Sequence, residues 1–223
     1  MKNLITTASA LLIASAAHAG VTGSYTDATL DLFDNGLDNL DITSVGVSDD
    51  GTNVTFAVTT RGFQNWTKYM IAIDSDPTGG TGTNAWSRPW DLNGAQIEHF
   101  IGSWVDAPSN NAQRVAFSGG SWDWANYQTF SNSVSGNTVS FTVSLASLGL
   151  SAGQSFSFDV GTSGGGNNDP AIDLLSRSDV ATTGWGSPSV SGAFRTYTVT
   201  PTPGAIALLG IAGIAGSRRR TKW

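Results

Sequence analysis

Short segments in which apolar and polar residues alternate recur between residues 42 and 200 of this chain. The segment 54–60 reads VTFAVTT, with its large apolar residues two positions apart, and residues 139–145 repeat the pattern. A period of two puts successive side chains on opposite faces of a strand. Gly, Asn and Asp separate these segments, and Gly136-Asn137 marks a hairpin. The spacing predicts nine or ten short strands in an all-β fold, a single antiparallel β-sandwich of the immunoglobulin or jelly-roll kind.

The other predicted elements differ in their expected burial. Residues 69–74 are apolar on both faces, which favours a central strand of the core, whereas residues 145–150 favour one helical turn. The acidic segment 21–41 contains the turn signal Asp34-Asn35-Gly36 and is predicted to form a short strand and a loop. Further strands are predicted at 42–47, 96–104, 114–117, 122–130, 156–160 and 195–200.

The amino-terminal segment has the pattern of an export signal. Lys2 precedes an apolar stretch at residues 4–14, and Ala17-His18-Ala19 forms a small-x-small cleavage site for signal peptidase. We therefore expect a signal peptide at residues 1–19 and a single sandwich domain at residues 20–200.

Residues 201–223 form a tripartite tail. Its parts are the motif Pro201-Thr202-Pro203-Gly204, an apolar run at 205–216, and the basic residues Arg218, Arg219 and Arg220. This arrangement resembles the PEP-CTERM sorting signal of Gram-negative bacteria, although Thr202 stands where that signal has Glu. The resemblance implies a short hydrophobic sorting helix, transient anchoring in the inner membrane, cleavage by an exosortase, and transfer to the cell surface or extracellular matrix. The alternative is a tail-anchor helix, for which a run of about 20 Å is short against a bilayer core of roughly 30 Å.

Charge and composition argue against several functions. Residues 20–200 contain 17 acidic and six basic residues, a formal net charge of about −11. Binding to nucleic acid or to an anionic membrane surface depends on Lys and Arg contacts with phosphate, so neither partner is expected. The chain contains no cysteine and therefore has neither disulfides nor thiolate chemistry.

Four segments of the body resemble DOMON-like domains and family-nine carbohydrate-binding modules. They are Leu40-Asp41-Ile42 after the acidic loop, 69–74, 98–104 and 145–149. The resemblance implies a DOMON-like sandwich that binds sugar, haem or no known ligand. Haem-binding domains of this kind use Met and His as axial ligands, whereas Met70 lies on a predicted core strand, so no haem is expected.

Few residues are suited to catalysis. His99 is the only histidine after the signal peptide, which excludes a centre with several histidine ligands. Glu98 is the only glutamate, so the paired glutamates of β-sandwich glucanases are missing. Strand alternation places Glu98 and His99 on opposite faces. No catalytic residue is predicted and the chain is expected not to be an enzyme, although an Asp-based pair stays open.

Tryptophan is the residue type that most favours a ligand. Seven tryptophans fall within residues 20–200, and an indole face suits the C–H face of a pyranose ring while polar neighbours bind its hydroxyls. The predicted saccharide site comprises Trp86, Arg88, Trp90, Glu98, Trp104, Trp122 and Trp124. Two of them, Trp122 and Trp124, are placed on one face of a single predicted strand. The alternative is that these tryptophans fill the core.

Aspartates in loops offer hard oxygen ligands, which Ca²⁺ requires. A structural calcium ion is predicted at Asp27, Asp31, Asp74 and Asp76. Residues 74–79 begin like an EF-hand loop, but Ala85 stands where that motif needs Glu. The family-nine resemblance also implies calcium. In the alternative interpretation these aspartates cap turns and keep the surface soluble.

Together these features indicate an exported protein of the cell surface or extracellular matrix that binds, or is part of, extracellular polysaccharide. The alternative is a structural matrix or biofilm protein without a specific small ligand, and a hydrolase acting on glycans is the third candidate. The expected partners are signal peptidase, an exosortase-type enzyme and polysaccharide.

Overall fold

The computed structural model describes residues 22–201, so the predicted signal peptide and the sorting tail after Pro201 lie outside the described residues. The described chain is all-β, and its helical element is the 3₁₀ helix Leu145–Leu148. Among the described residues, no helix has the length and apolar character that a bilayer crossing needs. The strands are β1 (Thr22–Thr26), β2 (Ile42–Asp49), β3 (Asn53–Thr60), β4 (Lys68–Asp74), β5 (Trp90–Asp91), β6 (His99–Trp104), β7 (Ala112–Ser118), β8 (Ser121–Trp122), β9 (Gln128–Phe130), β10 (Ser133–Ser135), β11 (Thr138–Ser144), β12 (Ser155–Ser163), β13 (Asp173–Leu174), β14 (Ser189–Val190) and β15 (Arg195–Thr198).

The first sheet contains β1, β2, β3, β11 and β10 in that spatial order, with antiparallel neighbours. The predicted alternation is confirmed, because every second residue of β3 is buried and Phe56 of β3 lies opposite Phe141 of β11. The predicted hairpin is also confirmed. Gly136 lies in the turn between β10 and β11 with φ of 58°, a conformation that glycine adopts without a steric penalty.

The second sheet has the order β13-β12-β4-β6-β7-β8, with β15 beside β12 and β9 beside β7. β4 is the central strand that its apolar residues predicted, and its residues 69–73 are all buried. Tyr69, Ile71 and Ile73 face the first sheet. Met70 and Ala72 face the other way into a separate apolar cluster. We call the face with Tyr69, Ile71 and Ile73 the inner face of the second sheet, and the face with Met70 and Ala72 its outer face.

The two sheets pack face to face around one hydrophobic core, which confirms the β-sandwich. Phe56 of the first sheet meets Phe156 and Phe158 of the second, at ring-centre distances of 6.0 and 5.4 Å. Phe141 lies 5.7 Å from Tyr69 in the same way. Such tilted and edge-to-face pairs add about 0.5–1.5 kcal/mol each to the burial of the rings.

A third layer covers the outer face of the second sheet. This outer layer consists of residues 81–97 and 175–194, and within it β5 and β14 pair in parallel, an exception to the predicted antiparallel pairing. Trp90 and Leu92 of the layer belong to the same buried cluster as Phe100 of β6. The second sheet therefore has a hydrophobic cluster on each face.

Asp159 of β12 links the outer layer to the second sheet. Its side chain is completely buried, and its Oδ2 accepts hydrogen bonds from the hydroxyls of Ser176 and Ser191 at 2.7 and 2.8 Å. Ser191 Oγ in turn accepts a hydrogen bond from Trp90 Nε1 at 2.8 Å. Burial raises the pKa of Asp159 to about 6, because the charged form loses its hydration.

The predicted strand 122–130 is wrong. β8 ends at Trp122 and β9 begins at Gln128, and both pair with β7. Between them the Asp123 carboxylate accepts hydrogen bonds from the backbone and side-chain amides of Asn126, a local bonding pattern that favours turns over strands. Trp124 lies in this turn, so it does not share a strand face with Trp122.

Three other predictions fall close to the observed elements. The 3₁₀ helix confirms the predicted helical turn. The acidic segment forms a short strand, β1, followed by a loop up to residue 41, as predicted. The strand predicted at 96–104 begins only at His99, because Ile97 forms an isolated bridge with Thr81 instead.

Candidate functional site: an aromatic cleft and an acidic cluster

An open cleft lies on the outer face of the second sheet, at the end where β4 begins and β6 ends. Its volume is about 460 Å³. We call it the aromatic cleft, and its lining consists of Lys68, Ala85, Trp86, Arg88, Trp104, Gln113, Trp124, Gly165 and Asn167.

Strand register sets the floor of the aromatic cleft. Lys68 of β4 lies opposite Trp104 of β6, and Gly102 lies opposite Gln113 of β7. Phe100, two residues before Gly102, packs into the apolar cluster on the outer face. Strand alternation therefore places these four residues on the outer face as well. Three neighbouring strands thus each contribute a residue to the lining.

Trp86 reaches this floor because Gly102 has no side chain. A Cβ atom at Gly102 would lie 2.1 Å from the Trp86 ring. The indole therefore lies against the backbone of β6, with its ring centre 5.5 Å from Phe100 and 6.3 Å from Trp104. Trp86 and Trp104 are tilted by only 37° to each other and form one aromatic wall.

Trp124 is the most exposed aromatic residue of the cleft. It leaves 43% of its surface accessible and lies 6.1 Å from the ring of Tyr127. Aromatic residues beside a few polar groups in a concave site are typical of ligand-binding pockets.

Two cations belong to the lining. The Arg88 guanidinium lies 5.4 Å from the centre of the Trp86 ring, within the range of a cation–π interaction. Its Nη1 donates to Ser163 Oγ at 2.8 Å and to the Asp169 carbonyl at 3.0 Å. Lys68 Nζ lies 3.3 Å from Asp106, outside the cleft. The residues that line the cleft include no carboxylate, although the domain as a whole is strongly acidic.

The structure brings together four of the seven residues predicted to bind saccharide, namely Trp86, Arg88, Trp104 and Trp124. Trp90 was predicted to bind saccharide, but the structure buries it. It is 3% exposed and its Nε1 donates to Ser191 inside the protein, so neither indole face is open to a ligand. Trp122 is half-buried against Phe100 and Phe117 and does not line the cleft.

Glu98 is also not part of the cleft. It precedes β6, six residues before Trp104, which at strand spacing is about 20 Å away. Its Oε2 accepts hydrogen bonds from the backbone N–H groups of Ser75 and Asp76 at 2.8 and 3.0 Å. Glu98 therefore orients the loop after β4.

Lys68, Gln113 and Asn167 line the cleft but were not predicted. A period of two assigns a residue to a face of its strand. It does not reveal that β4, β6 and β7 are neighbours, so no signal in one sequence places these residues beside Trp86.

Ser163 occupies the serine position of a Gly-x-Ser-x-Gly pattern at residues 161–165, the sequence form of a nucleophile elbow. Its hydroxyl is buried, donates to the Pro170 carbonyl at 2.6 Å and accepts from Arg88. Ser163 lies on the outer face of the second sheet, opposite Lys68, whereas His99 lies on the inner face. A serine nucleophile needs a base within hydrogen-bond reach, and His99 does not meet this requirement.

His99 predicts an acid-sensitive stability. Burial and the adjacent Arg114 guanidinium, 3.0 Å from Nδ1, lower the pKa of His99 to about 4. An unfolded histidine titrates near pH 6.5, so between these values only the unfolded chain binds the proton. The contribution of neutral His99 to the free energy of unfolding is therefore fully present above pH 6.5. It is lost as the pH falls to about 4, a change of about 3 kcal/mol.

The check is urea unfolding at pH 7 and pH 4.5 for the wild type and His99→Gln, whose amide can accept from Arg114 and donate to the Leu148 carbonyl as the imidazole does. We expect the wild type to lose more stability on acidification than the variant. An identical decline in both proteins would show that His99 is not responsible.

A second group, the acidic cluster, lies where the loop after β1 meets β13. One carboxylate oxygen from each of Asp31, Asp41 and Asp173 lies within 4.8 Å of the others. Burial and then the charges of Asp27 and Asp31 raise the pKa of Asp173 well above its ordinary value. Burial, together with the nearby charge of Asp31, also raises the pKa of Asp27 to about 8. Asp27 is therefore a neighbour of the cluster, whereas the three oxygens that lie close enough to share an ion come from Asp31, Asp41 and Asp173.

The four aspartates predicted to bind calcium do not lie together. Asp31 lies in the acidic cluster, and Asp27 is its neighbour. Asp76 is exposed, and its Oδ1 accepts hydrogen bonds from the backbone and the hydroxyl of Thr78, which is a turn-capping role. Asp74, at the end of β4, joins no group of three acidic or histidine residues able to share an ion within the described chain.

No protein-family model matches the chain, and no curated protein matches it. A solved chain from Fap1 fimbriae of Streptococcus parasanguinis, from work on pH-induced modulation of adhesion, aligns with 82% of this chain and 96% of its own length. The identity is 14% and the TM-score is 0.24.

Proposed function

We propose that this protein is an exported, non-enzymatic binding module that holds extracellular polysaccharide in the aromatic cleft. The observation that carries the proposal is the meeting of the Trp86–Trp104 wall, the exposed Trp124 and two cations in one open cleft. Indole faces pack on the C–H faces of sugar rings, and Gln, Asn, Arg and Lys side chains bind hydroxyl groups.

The charge of the lining favours an acidic glycan. Arg88 and Lys68 line the cleft and no lining residue is a carboxylate, so the cleft repels an anion less than the rest of this acidic surface does, although Lys68 also pairs with Asp106. We expect polymers with uronate groups to bind more tightly than neutral polymers of similar linkage. Added salt should weaken that preference, because it screens exposed charges.

Export and surface location belong to the same proposal. The small-x-small site at residues 17–19 and the tail at 201–223 support removal of a signal peptide and processing by an exosortase-type enzyme. The fold is proposed to be of the DOMON-like kind on the four sequence segments named above. A polysaccharide-binding module at the cell surface is consistent with each of these sequence features.

Replacing Trp124 with Ala is expected to weaken glycan binding at least tenfold, which is about 1.4 kcal/mol, because the exposed stacking face is lost. The measurement is isothermal titration of the purified protein with acidic and neutral oligosaccharides. The matched control is Trp185→Ala, since Trp185 is 38% exposed, packs against Phe33 and does not line the cleft. The control should bind as the wild type does.

Equal losses in the two variants would place the ligand outside the aromatic cleft. A flat titration with every glycan, from a folded protein, would favour the structural matrix protein without a specific ligand.

A further inference from the structure

The acidic cluster contains carboxylate oxygens that nothing in the described chain satisfies. Both oxygens of Asp31, Oδ1 of Asp41 and Oδ2 of Asp27 are buried without a hydrogen-bond partner among residues 22–201. Asp41 is completely buried. Native proteins satisfy nearly all buried polar atoms, and a buried charge without a partner is strongly unfavourable. These four oxygens therefore lack a positively charged partner.

Basic side chains do not fill this role. Arg61 Nε donates to Asp41 Oδ2 at 2.8 Å and leaves Oδ1 without a partner. Asp27, Asp31 and Asp173 form no salt bridge with any Lys or Arg in the described part of the chain. Backbone amides bind the remaining oxygens, with Leu30 donating to Asp41 and with Ile42 and Leu174 donating to Asp173.

We propose that Asp31, Asp41 and Asp173 bind one Ca²⁺ ion, with Asp27 as a fourth carboxylate beside it. The oxygens of the first three lie within 4.8 Å of one another. No two of these oxygens are farther apart than about 4.8 Å, the largest separation that two ligands about 2.4 Å from one ion can have. Ca²⁺ accepts irregular sets of six to eight oxygens with water among them, whereas Mg²⁺ requires a near-ideal octahedron at about 2.0–2.1 Å.

The ion joins separate parts of the fold. Asp31 lies in the loop after β1, Asp41 directly precedes β2, and Asp173 begins β13 at the edge of the second sheet. The side chains next to these ligands form one apolar group, Leu32, Leu40 and Ile172 with Trp66. Calcium thus holds the acidic segment against the sandwich. The site is separate from the aromatic cleft and does not depend on the glycan proposal.

The test begins with protein stripped by EDTA and dialysed, which is then titrated with CaCl₂ by calorimetry and followed by thermal unfolding. We expect one Ca²⁺ per chain and a higher Tm in calcium than in EDTA. Tb³⁺ provides a direct probe, because Trp66 packs against the apolar side chains next to the ligands and a lanthanide in the site should emit when this indole is excited. Trp66→Phe should remove that emission without abolishing calcium binding.

The variant Asp31→Asn tests whether Asp31 is a ligand of the ion or only a structural residue. Both Asp31 oxygens accept no hydrogen bond, so the variant should fold, bind Ca²⁺ at least tenfold more weakly and lose the calcium-dependent rise in Tm. In EDTA its Tm should equal or exceed that of the wild type, because a buried charge has been removed. The control is Asp34→Asn, the same change three positions later, where Oδ1 only accepts from Gly36 N–H.

Three results would overturn the proposal. They are the absence of saturable Ca²⁺ binding by the stripped wild type, equal losses of affinity in the Asp31 and Asp34 variants, and Mg²⁺ binding as tight as Ca²⁺ binding.

Discussion

Asp159→Ala is expected to destabilise the protein by about 3 kcal/mol or more, because several buried donors lose their acceptor. Asp159 is completely buried and accepts four hydrogen bonds. Two come from the hydroxyls of Ser176 and Ser191, and two come from the N–H groups of Val160 and Ser176 at 2.8 and 3.0 Å. Alanine leaves all four donors buried without an acceptor, and each such donor costs about 1–3 kcal/mol before the structure relaxes.

The effect should extend to the outer layer, because Ser191 also accepts from Trp90. Urea unfolding at pH 7 gives the loss of stability, and hydrogen exchange at residues 175–194 shows where it falls. The matched control is Asp50→Ala. Asp50 also accepts several hydrogen bonds, from Thr52 and Asn53, but it is exposed, so water replaces them and the expected loss is about 1 kcal/mol or less. Equal losses in the two variants would show that burial is not the cause.

The pH dependence of the Asp159 effect has a defined sign. Its folded pKa of about 6 lies above the ordinary value of 3.8, so the folded state favours the protonated acid. Stability contributed by Asp159 is therefore greatest below pH 4 and declines as the pH rises to about 6. Asp159→Ala should accordingly flatten this part of the profile.

Gly102→Ala is expected to abolish glycan binding and to destabilise the protein by about 1–3 kcal/mol, the usual cost of overpacking. The added Cβ would lie 2.1, 2.4 and 2.8 Å from three atoms of the Trp86 ring. Since Gly102 lies within a paired central strand, its backbone cannot retreat, and Trp86 must leave its contacts with Phe100 and Trp104. The aromatic wall is then lost.

Gly46→Ala provides the matched control for this change. Gly46 is also within a strand, β2, and its added Cβ would meet Ala57 Cβ at 3.8 Å, an ordinary contact. The same chemical change there should be neutral or slightly stabilising, because alanine loses less backbone entropy than glycine on folding. Glycan titration and urea unfolding of both variants separate the steric effect from the general effect of losing a glycine. If Gly102→Ala binds and unfolds as Gly46→Ala does, Trp86 is not seated as described.

Properties that depend on neighbours along the chain were predictable. Alternation predicted β3 and β11, and apolar residues on both faces predicted β4, because the direction of successive side chains follows from strand geometry alone. The Gly136-Asn137 turn was equally local, since a positive φ selects the residue type. The strand at 122–130 failed for a local reason too, as the Asp123–Asn126 hydrogen bonds compete with the strand.

Trp86 and Trp90 show where local information ends. Both follow a proline- and glycine-containing loop, and the same reasoning placed both in a saccharide site. Trp86 lines the cleft because Gly102 of β6 leaves room for its ring. Trp90 is buried because Ser191, 101 residues later, accepts its N–H. Residue type and spacing made both candidates, and long-range packing separated them.

The same division applies to the acidic residues. Loop position and oxygen chemistry identified Asp27 and Asp31 as candidate ligands, and they identified Asp74 and Asp76 equally well. The pairing that distinguishes them is distant in sequence, since Asp173 binds the backbone of Ile42 across 131 positions. Sequence thus specifies strands, turns and the chemistry that each side chain offers, because these depend on local geometry. Which side chains share a site depends on how the sheets pair and pack, and only the folded chain shows that Asp41 and Asp173 complete the cluster.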